Sequence, residues 1–280
     1  MSTQPSGSFH VRHDLTPPVA RDAMLLLRKD AATDGAVLLE RARERDYALG
    51  RLASPDKVLA SLRDLGMVER GDRKGGPSIH LSTLGERVAS IAGRDSLLFA
   101  ELVHLRYWHL WSETAGGAGF AWAYRVVCST LWEAAPMRIE ANQLTATVLA
   151  SAEERFGLRA VSFSRSSVLG VMHWLRALSP ACVTANHFSR RPACAPEAFL
   201  LALRAARGPS APTIGLPLRL ESWLREQVCR ALLLDLSAFD EMIERAEEGY
   251  GLVRLREAGA ERLVVPREDP LSSIALQPLP

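Results

Sequence analysis

Lysine is almost missing from this 280-residue chain: only Lys29, Lys57 and Lys74 occur, against 31 arginines. With abundant alanine and leucine, this is the coding bias of a GC-rich bacterial genome, so no single arginine carries an argument. Cysteine is also scarce. Cys128, Cys182, Cys194 and Cys229 lie 54, 12 and 35 residues apart with no C-x-x-C pair. That excludes the usual structural zinc and thioredoxin-type motifs and predicts reduced, buried thiols of a cytoplasmic protein. The opening MSTQPSGSFHVRHD has no apolar core of a secretory signal. No window reaches the roughly 18–20 apolar residues of a membrane span, so no membrane partner is expected.

Catalytic signatures are lacking too. There is no G-x-S-x-G, Walker loop, H-E-x-x-H or deaminase pattern. Gly116, Gly117 and Gly119 follow a helical segment, whereas a dinucleotide fingerprint needs a preceding strand. The pairs His10/His13 and His104/His109 have no carboxylate set nearby in sequence, so no metal or other cofactor is expected. The acids crowd onto a solvated helix face, which argues against a nuclease. The sequence therefore predicts no enzyme.

What is present is an ordinary globular mix, 48% hydrophobic and 24% charged, which needs no staple to fold. At roughly 100–200 residues per domain, more than one unit is expected. Most long segments carry the helical period. Helices are expected over 18–30, from the Asp34 cap, and from Ser54-Pro55, where Val58, Leu59, Leu62 and Leu65 form one stripe stopped by Gly66. Met67–Arg70 and Ser78–Leu81 flank a glycine-rich centre and predict a hairpin, after which Ser82-Thr83-Leu84-Gly85 opens another helix. Residues 96–112 and 120–134 are apolar on nearly every side and belong in the middle of the molecule, separated by a flexible glycine break.

Asn142 is read as the cap of a helix ending at Phe156, and Ser164 as the cap of one ending at Leu178. The second helix has an apolar back of Val168, Leu169, Val171, Met172, Leu175 and Leu178. Its opposite face carries Ser166, Gly170, His173 and Ala177, edged by Arg165 and Arg176, as a recognition helix would. Helices over 196–206 and 221–235 follow. Ser237 caps another that is stopped by Gly249, and a second hairpin spans Tyr250–Arg256 and Glu261–Val265. The expected organisation is a mainly α protein with short β-hairpins. It divides into a winged-helix-like domain over 1–93, a central helical basic domain over 94–207, a winged-helix-like unit over 208–267 and an extended tail over 268–280.

The net charge of +2 conceals an asymmetry. Residues 155–207 hold eight arginines against Glu197 alone, a local charge of +7, whereas residues 221–250 hold eight acids against three arginines, or −5. A basic surface attracts polyanions and gains affinity from released counterions. The expected nucleic-acid contacts are Arg165, Ser166, His173, Arg176, Arg190 and Arg191 on one exposed wall. Lys57 and Arg63 join them from the third helix, and Arg73 and Lys74 from the wing. The acidic 221–250 stretch suits a protein partner, or the basic unit itself.

The stretches KVLASLRDLGMVERG and HLSTLGERV resemble the winged helix-turn-helix superfamily. A weaker resemblance is to an uncharacterised bacterial family of phage-defence islands, found near DNA-phosphorothioation and BREX-type genes, and equally to BrxA-type DNA-binding subunits. It rests on Phe9-His10-Val11-Arg12-His13, on Thr83-Leu84-Gly85, on Leu102-Val103-His104 with Trp108, and on the helix from Val168 to Leu178. These resemblances imply a double-stranded-DNA-binding subunit of a defence system. A protein-interaction adaptor is the alternative, as is a transcriptional regulator, which would act as a homodimer on a palindromic site.

Overall fold

Proline and short polar caps set the first helices. The computed structural model describes residues 5–32, 34–52, 54–73, 76–113, 115–158, 161–206, 218–257 and 260–264. In it, α1 spans Pro17–Lys29 with proline in its first turn. Asp34 caps α2 (Gly35–Glu44), accepting from the Val37 amide at 3.0 Å. Helix α3 (Pro55–Asp64) buries Val58, Leu59 and Leu62. The expected hairpin follows as β1 (Val68–Arg73) and β2 (Gly76–Leu81), and Ser82 then caps α4 (Thr83–Ala92) by accepting from the Gly85 amide at 3.0 Å. A Cβ on Gly85 would lie 1.9 Å from the Met67 carbonyl oxygen, so α4 can approach the hairpin base this closely only at a glycine.

Ala32, between α1 and α2, bridges Ile79 of β2 through backbone hydrogen bonds of 3.0 and 2.6 Å. This gives the order helix, strand position, helix, helix, hairpin. Next come α5 (Ser96–His109) and a small hairpin of β3 (Trp111–Ser112) and β4 (Gly116–Gly117). The same order then recurs as α6 (Gly119–Ala134), β5 (Met137–Arg138), α7 (Ala141–Phe156), α8 (Arg165–Ala177), β6 (Val183–Thr184) and β7 (His187–Phe188). It recurs again as α9 (Pro196–Ala206), β8 (Leu218–Arg219), α10 (Ser222–Leu232), α11 (Ala238–Tyr250), β9 (Val253–Glu257) and β10 (Ala260–Val264). The two later sheets run β5-β7-β6 and β8-β10-β9, so the leading strand lies beside the last one in both, as Ala32 lies beside β2.

Several sequence expectations change. The sequence placed hairpins only in the first and last units, but the middle unit has one too. Its strands are two residues long, too short to show alternation. Helix α9 packs on α10 and α11. The glycine-rich break after α5 is the β3–β4 hairpin. Asn142 lies inside the first turn of α7, and Glu140 holds the cap position. Helix α11 runs past Gly249 to Tyr250, and Gly251 ends it with a φ of +69°. At its start Asp235, rather than Ser237, accepts the hydrogen bonds, from the Ser237 amide at 2.9 Å and hydroxyl at 2.7 Å. The tail over 268–280 lies outside the described residues.

A helix that is apolar all round belongs inside, and α5 does lie there. It packs against α1 and α4 of the first unit, α6 and α8 of the second, and α9 and α10 of the third. Its three buried polar side chains each reach a different neighbour. Arg106 donates from Nε to the Leu65 carbonyl at 2.8 Å. Glu101 pairs with Arg191, which precedes α9. His104 joins Tyr124 of α6 at 2.8 Å and the Ala231 carbonyl of α10 at 2.8 Å. Buried polar groups need such partners, so these bonds fix how the units sit around α5. One continuous hydrophobic core runs from Phe9 to Leu263.

Candidate nucleic-acid interface

Helix α8 is set locally by a capping box, in which Ser164 and Ser167 each satisfy the other's backbone amide. Val168, Val171, Met172, Trp174 and Leu175 point inward. The outward stripe is Arg165, Leu169, His173 and Arg176, at helical spacing. This is a rotation from the expected face. Gly170 is buried, whereas Leu169 is 42% exposed.

The cause is the N-terminal arm. Ser6 pairs with the β4 region, its amide donating to Gly117 at 2.8 Å and its carbonyl accepting from Gly119 at 2.7 Å. The Ser8 and Ser162 hydroxyls meet at 2.8 Å, and Phe9 sets its ring edgewise to Trp122 at 5.5 Å. His10 Nδ1 then lies 2.6 Å from the Ser167 hydroxyl. Val11 and Arg12 cross α8 at Gly170, where a Cβ would come within 2.8 Å of the Val11 carbonyl oxygen. The arm lies against α3 as well: His10, Val11 and Arg12 line a small cleft with Ser61, Asp64, Tyr107 and Phe120.

The third helices of the first two units thus flank one arm. Lys57 and Arg63 on α3 and Arg165 and Arg176 on α8 are all exposed. Among the described residues, the side chains of Lys57, Arg63 and Arg165 have no hydrogen bond or ion pair, and that of Arg176 has one long contact, to the Ala185 carbonyl at 3.5 Å. Ser166 is half-buried and its hydroxyl meets that of Ser164 at 2.8 Å. His173 is half-buried; burial, Arg176 and His13 hold its pKa below the usual histidine value. His10 is likewise lowered, by burial first and then by His13, Arg12 and Lys57 against the opposing Asp14. Burial raises Asp64, with Arg12 and Arg63 pulling the other way. The side chain of Arg73 and all of Lys74 lie outside the described residues, and so do Arg159 and Arg207.

The rest of the expected basic wall turns inward, a correction to the sequence reading. The side chain of Arg191 is 0% exposed and pairs with Glu101, so it contacts no external polyanion. Arg190 stacks 4.5 Å from the Trp132 ring centre, donates to the Trp132 carbonyl at 2.8 Å and stands 4.0 Å from Asp235. Arg155 pairs with Glu113 and lies beside the Trp111 and Phe156 rings. Guanidinium groups have both a charge and a flat apolar face; Arg190 and Arg155 use both within the fold, and Arg191 uses its charge. In the acidic third unit, Asp240 holds Arg225 through two bonds of 2.8 Å, Glu226 holds Arg230, and Glu241 holds Arg245.

Sequence reasoning missed Arg12, and with it the placing of His10 and His13 beside α8. The one available signal was the Phe9–His13 segment of the family resemblance. Among the described residues, no three His, Cys, Asp or Glu side chains are grouped to hold a metal ion, and no helix is long and apolar enough to cross a membrane.

No protein-family model matches the chain, and no curated protein matches it. Two crystal structures of SspB do share its fold. One aligns with a TM-score of 0.59 at 13% identity, and a magnesium ion-bound form aligns with a TM-score of 0.60 at 12% identity. Each alignment covers 96% of this chain and 86% of the SspB chain, so the likeness spans all three units.

Proposed function

We propose that this chain is a non-enzymatic protein that binds double-stranded DNA as a subunit or accessory factor of a bacterial anti-phage defence system. The observation that carries the DNA reading is α8. It ends a helix–strand–helix–helix run ahead of a hairpin, the position of a recognition helix in a winged helix. It presents Arg165 and Arg176 to solvent with no carboxylate against either among the described residues. Lys57 and Arg63 occupy the equivalent helix of the first unit. Opposed guanidinium-bearing helices with a cationic arm between them suit a phosphate backbone and, through bidentate bonds, guanine. The defence setting is supported by the sequence resemblance to phosphorothioation- and BREX-associated proteins, beside the shared fold with SspB.

Each lost phosphate contact removes about one unit from the slope of log affinity against log salt. Arg165→Ala with Arg176→Ala therefore lowers that slope by about two units on a duplex probe. An unchanged titration overturns the assignment. Single-stranded DNA and RNA probes at the same two salt concentrations test the choice of duplex.

A protein-interaction adaptor is the second reading. It is favoured by Arg190, which the sequence assigned to DNA and which faces Asp235 of the acidic unit instead. In that reading the exposed Glu244 and Glu248 on α11 meet a basic partner.

A further inference from the structure

Leu169 stands 42% exposed on the outward stripe of α8, one turn after Arg165 and one turn before His173, with Arg176 close to a further turn on. Its outward position is fixed by its neighbour. Gly170 is buried beneath the arm, where a Cβ would come within 2.8 Å of the Val11 carbonyl oxygen. The helix therefore cannot turn to hide Leu169 without lifting the arm. Among the described residues, five other large apolar side chains are exposed: Leu97, Leu149, Trp223, Leu236 and Val253. Each of these has an acidic residue within four positions along the chain, whereas no acid occurs from Arg155 to Pro196 around Leu169. Arg176, 3.5 Å from the Ala185 carbonyl, joins the end of α8 to the exposed turn between β6 and β7, which is acid-free as well. An aliphatic side chain is thus held out to water in the middle of a surface suited to a polyanion.

We propose that Leu169 is the base-contacting residue of α8, packing on the C5-methyl group of thymine in the major groove of duplex DNA, with Arg165 and Arg176 on the phosphates to either side. The inference rests on the DNA-binding reading and deepens it by naming the base edge that is read. Leucine has no donor or acceptor, so the hydrogen-bonding groups of a base offer it nothing. Thymine is the one base of unmodified DNA that shows a methyl group in the major groove. From Arg165 to Arg176 the helix advances about 16 Å at roughly 1.5 Å per residue. The major groove is about 12 Å wide. The end arginines therefore stand at the phosphate rims when the middle of the stripe faces the base edges. Covering the methyl takes apolar surface out of water on both partners and releases no counterions.

The test uses the full chain and two duplexes identical except that deoxyuridine replaces every thymidine in one, which removes only the C5-methyl groups. Affinities of the parent and of Leu169→Ala are measured on both at several salt concentrations, with thermal unfolding confirming the variant's fold. The parent is expected to bind the thymine duplex about twofold to fivefold more tightly than the uracil duplex, the gain from covering about one methyl group. Leu169→Ala is expected to bind the two duplexes alike. Its salt slope stays that of the parent, since no phosphate contact is lost. Equal binding of the two duplexes by the parent overturns the proposal without any variant. So does a thymine preference that survives in Leu169→Ala. If the parent binds both duplexes equally while Arg165→Ala with Arg176→Ala still flattens the salt slope, the DNA reading stands and this proposal alone falls. If the parent binds neither duplex, both fall.

Discussion

Arg191 and Glu101 meet side by side where water does not reach: Nη2 donates to Oε2 at 2.9 Å and Nη1 to Oε1, with both side chains at most 1% exposed. Nη2 and Nε also donate to the Leu232 carbonyl, at 2.6 and 3.1 Å. Burial alone would favour the neutral guanidine, but the carboxylate outweighs it and holds the Arg191 pKa above its ordinary value. The pair joins the central helix α5 to the segment leading into α9 and to the end of α10, so it sets how the third unit docks.

Removing one partner leaves a buried charge without its counter-ion, which typically costs about 3–5 kcal/mol. Arg191→Met and Glu101→Leu made singly are therefore each expected to lower stability by that amount, read from urea unfolding. The double variant recovers most of the loss, because two apolar side chains of similar volume replace the pair. Single variants within about 1 kcal/mol of the parent would show that the pair is solvated.

The neighbouring His104 makes the same centre sensitive to acid. Its Nε2 donates to the Ala231 carbonyl and its Nδ1 accepts from the Tyr124 hydroxyl, an arrangement that requires the neutral ring. Burial and Arg191 lower its pKa to about 3, and burial with Arg125 lowers that of His109 to about 3. The unfolded chain binds these protons near pH 6.5, so their contribution is fully present above that value and is lost as pH falls toward 3. Melting temperature is expected to fall steadily from pH 7 to pH 4. His104→Gln keeps one donor and one acceptor. It costs about 1–2 kcal/mol at pH 7.5 and shows a shallower decline with acid. An equal decline in parent and variant would remove His104 from the explanation.

Adjacent arginines should behave differently. Arg190 covers Trp132 from one side, and Arg230 lies 5.0 Å from the same ring centre. Arg190→Ala therefore loses packing and a hydrogen bond to the Trp132 carbonyl, at about 1–2 kcal/mol of stability. It leaves the salt slope of duplex binding unchanged. Lys57→Ala with Arg63→Ala does the reverse, flattening the slope with stability within about 0.5 kcal/mol. A fall in salt slope for Arg190→Ala would return that residue to the interface.

These contrasts show where the sequence could be read. Helix starts at Asp34, Ser82 and Ser164 were legible because a cap is a local device, set by residues within one turn. The hairpin after α3 was legible from its glycine-rich centre. The leading strands β5 and β8 were not, since two residues carry no period. Arg190 and Arg191 stand together outside any helix, so no periodicity says which is inside, and only the position of Glu101, ninety residues earlier, decides it. The exposed face of α8 was misread for the same reason: the segment that covers Gly170 lies near the N-terminus.

That covering segment supplies the last prediction. Glycine inside a helix normally costs about 1 kcal/mol relative to alanine, so Gly170→Ala should stabilise α8 if nothing lay over it. Here the added methyl would come within 2.8 Å of the Val11 carbonyl oxygen and 3.2 Å of Arg12 backbone atoms. Backbone cannot step aside as a side chain can, so the arm must lift from α8 and break the contact of His10 with Ser167. The expected outcome is a net loss of about 1–3 kcal/mol despite the better helix former. Trypsin should also cleave faster after Arg12, where the parent's arm lies against α8. A stabilised variant with unchanged cleavage would mean that the arm does not rest on Gly170 in solution.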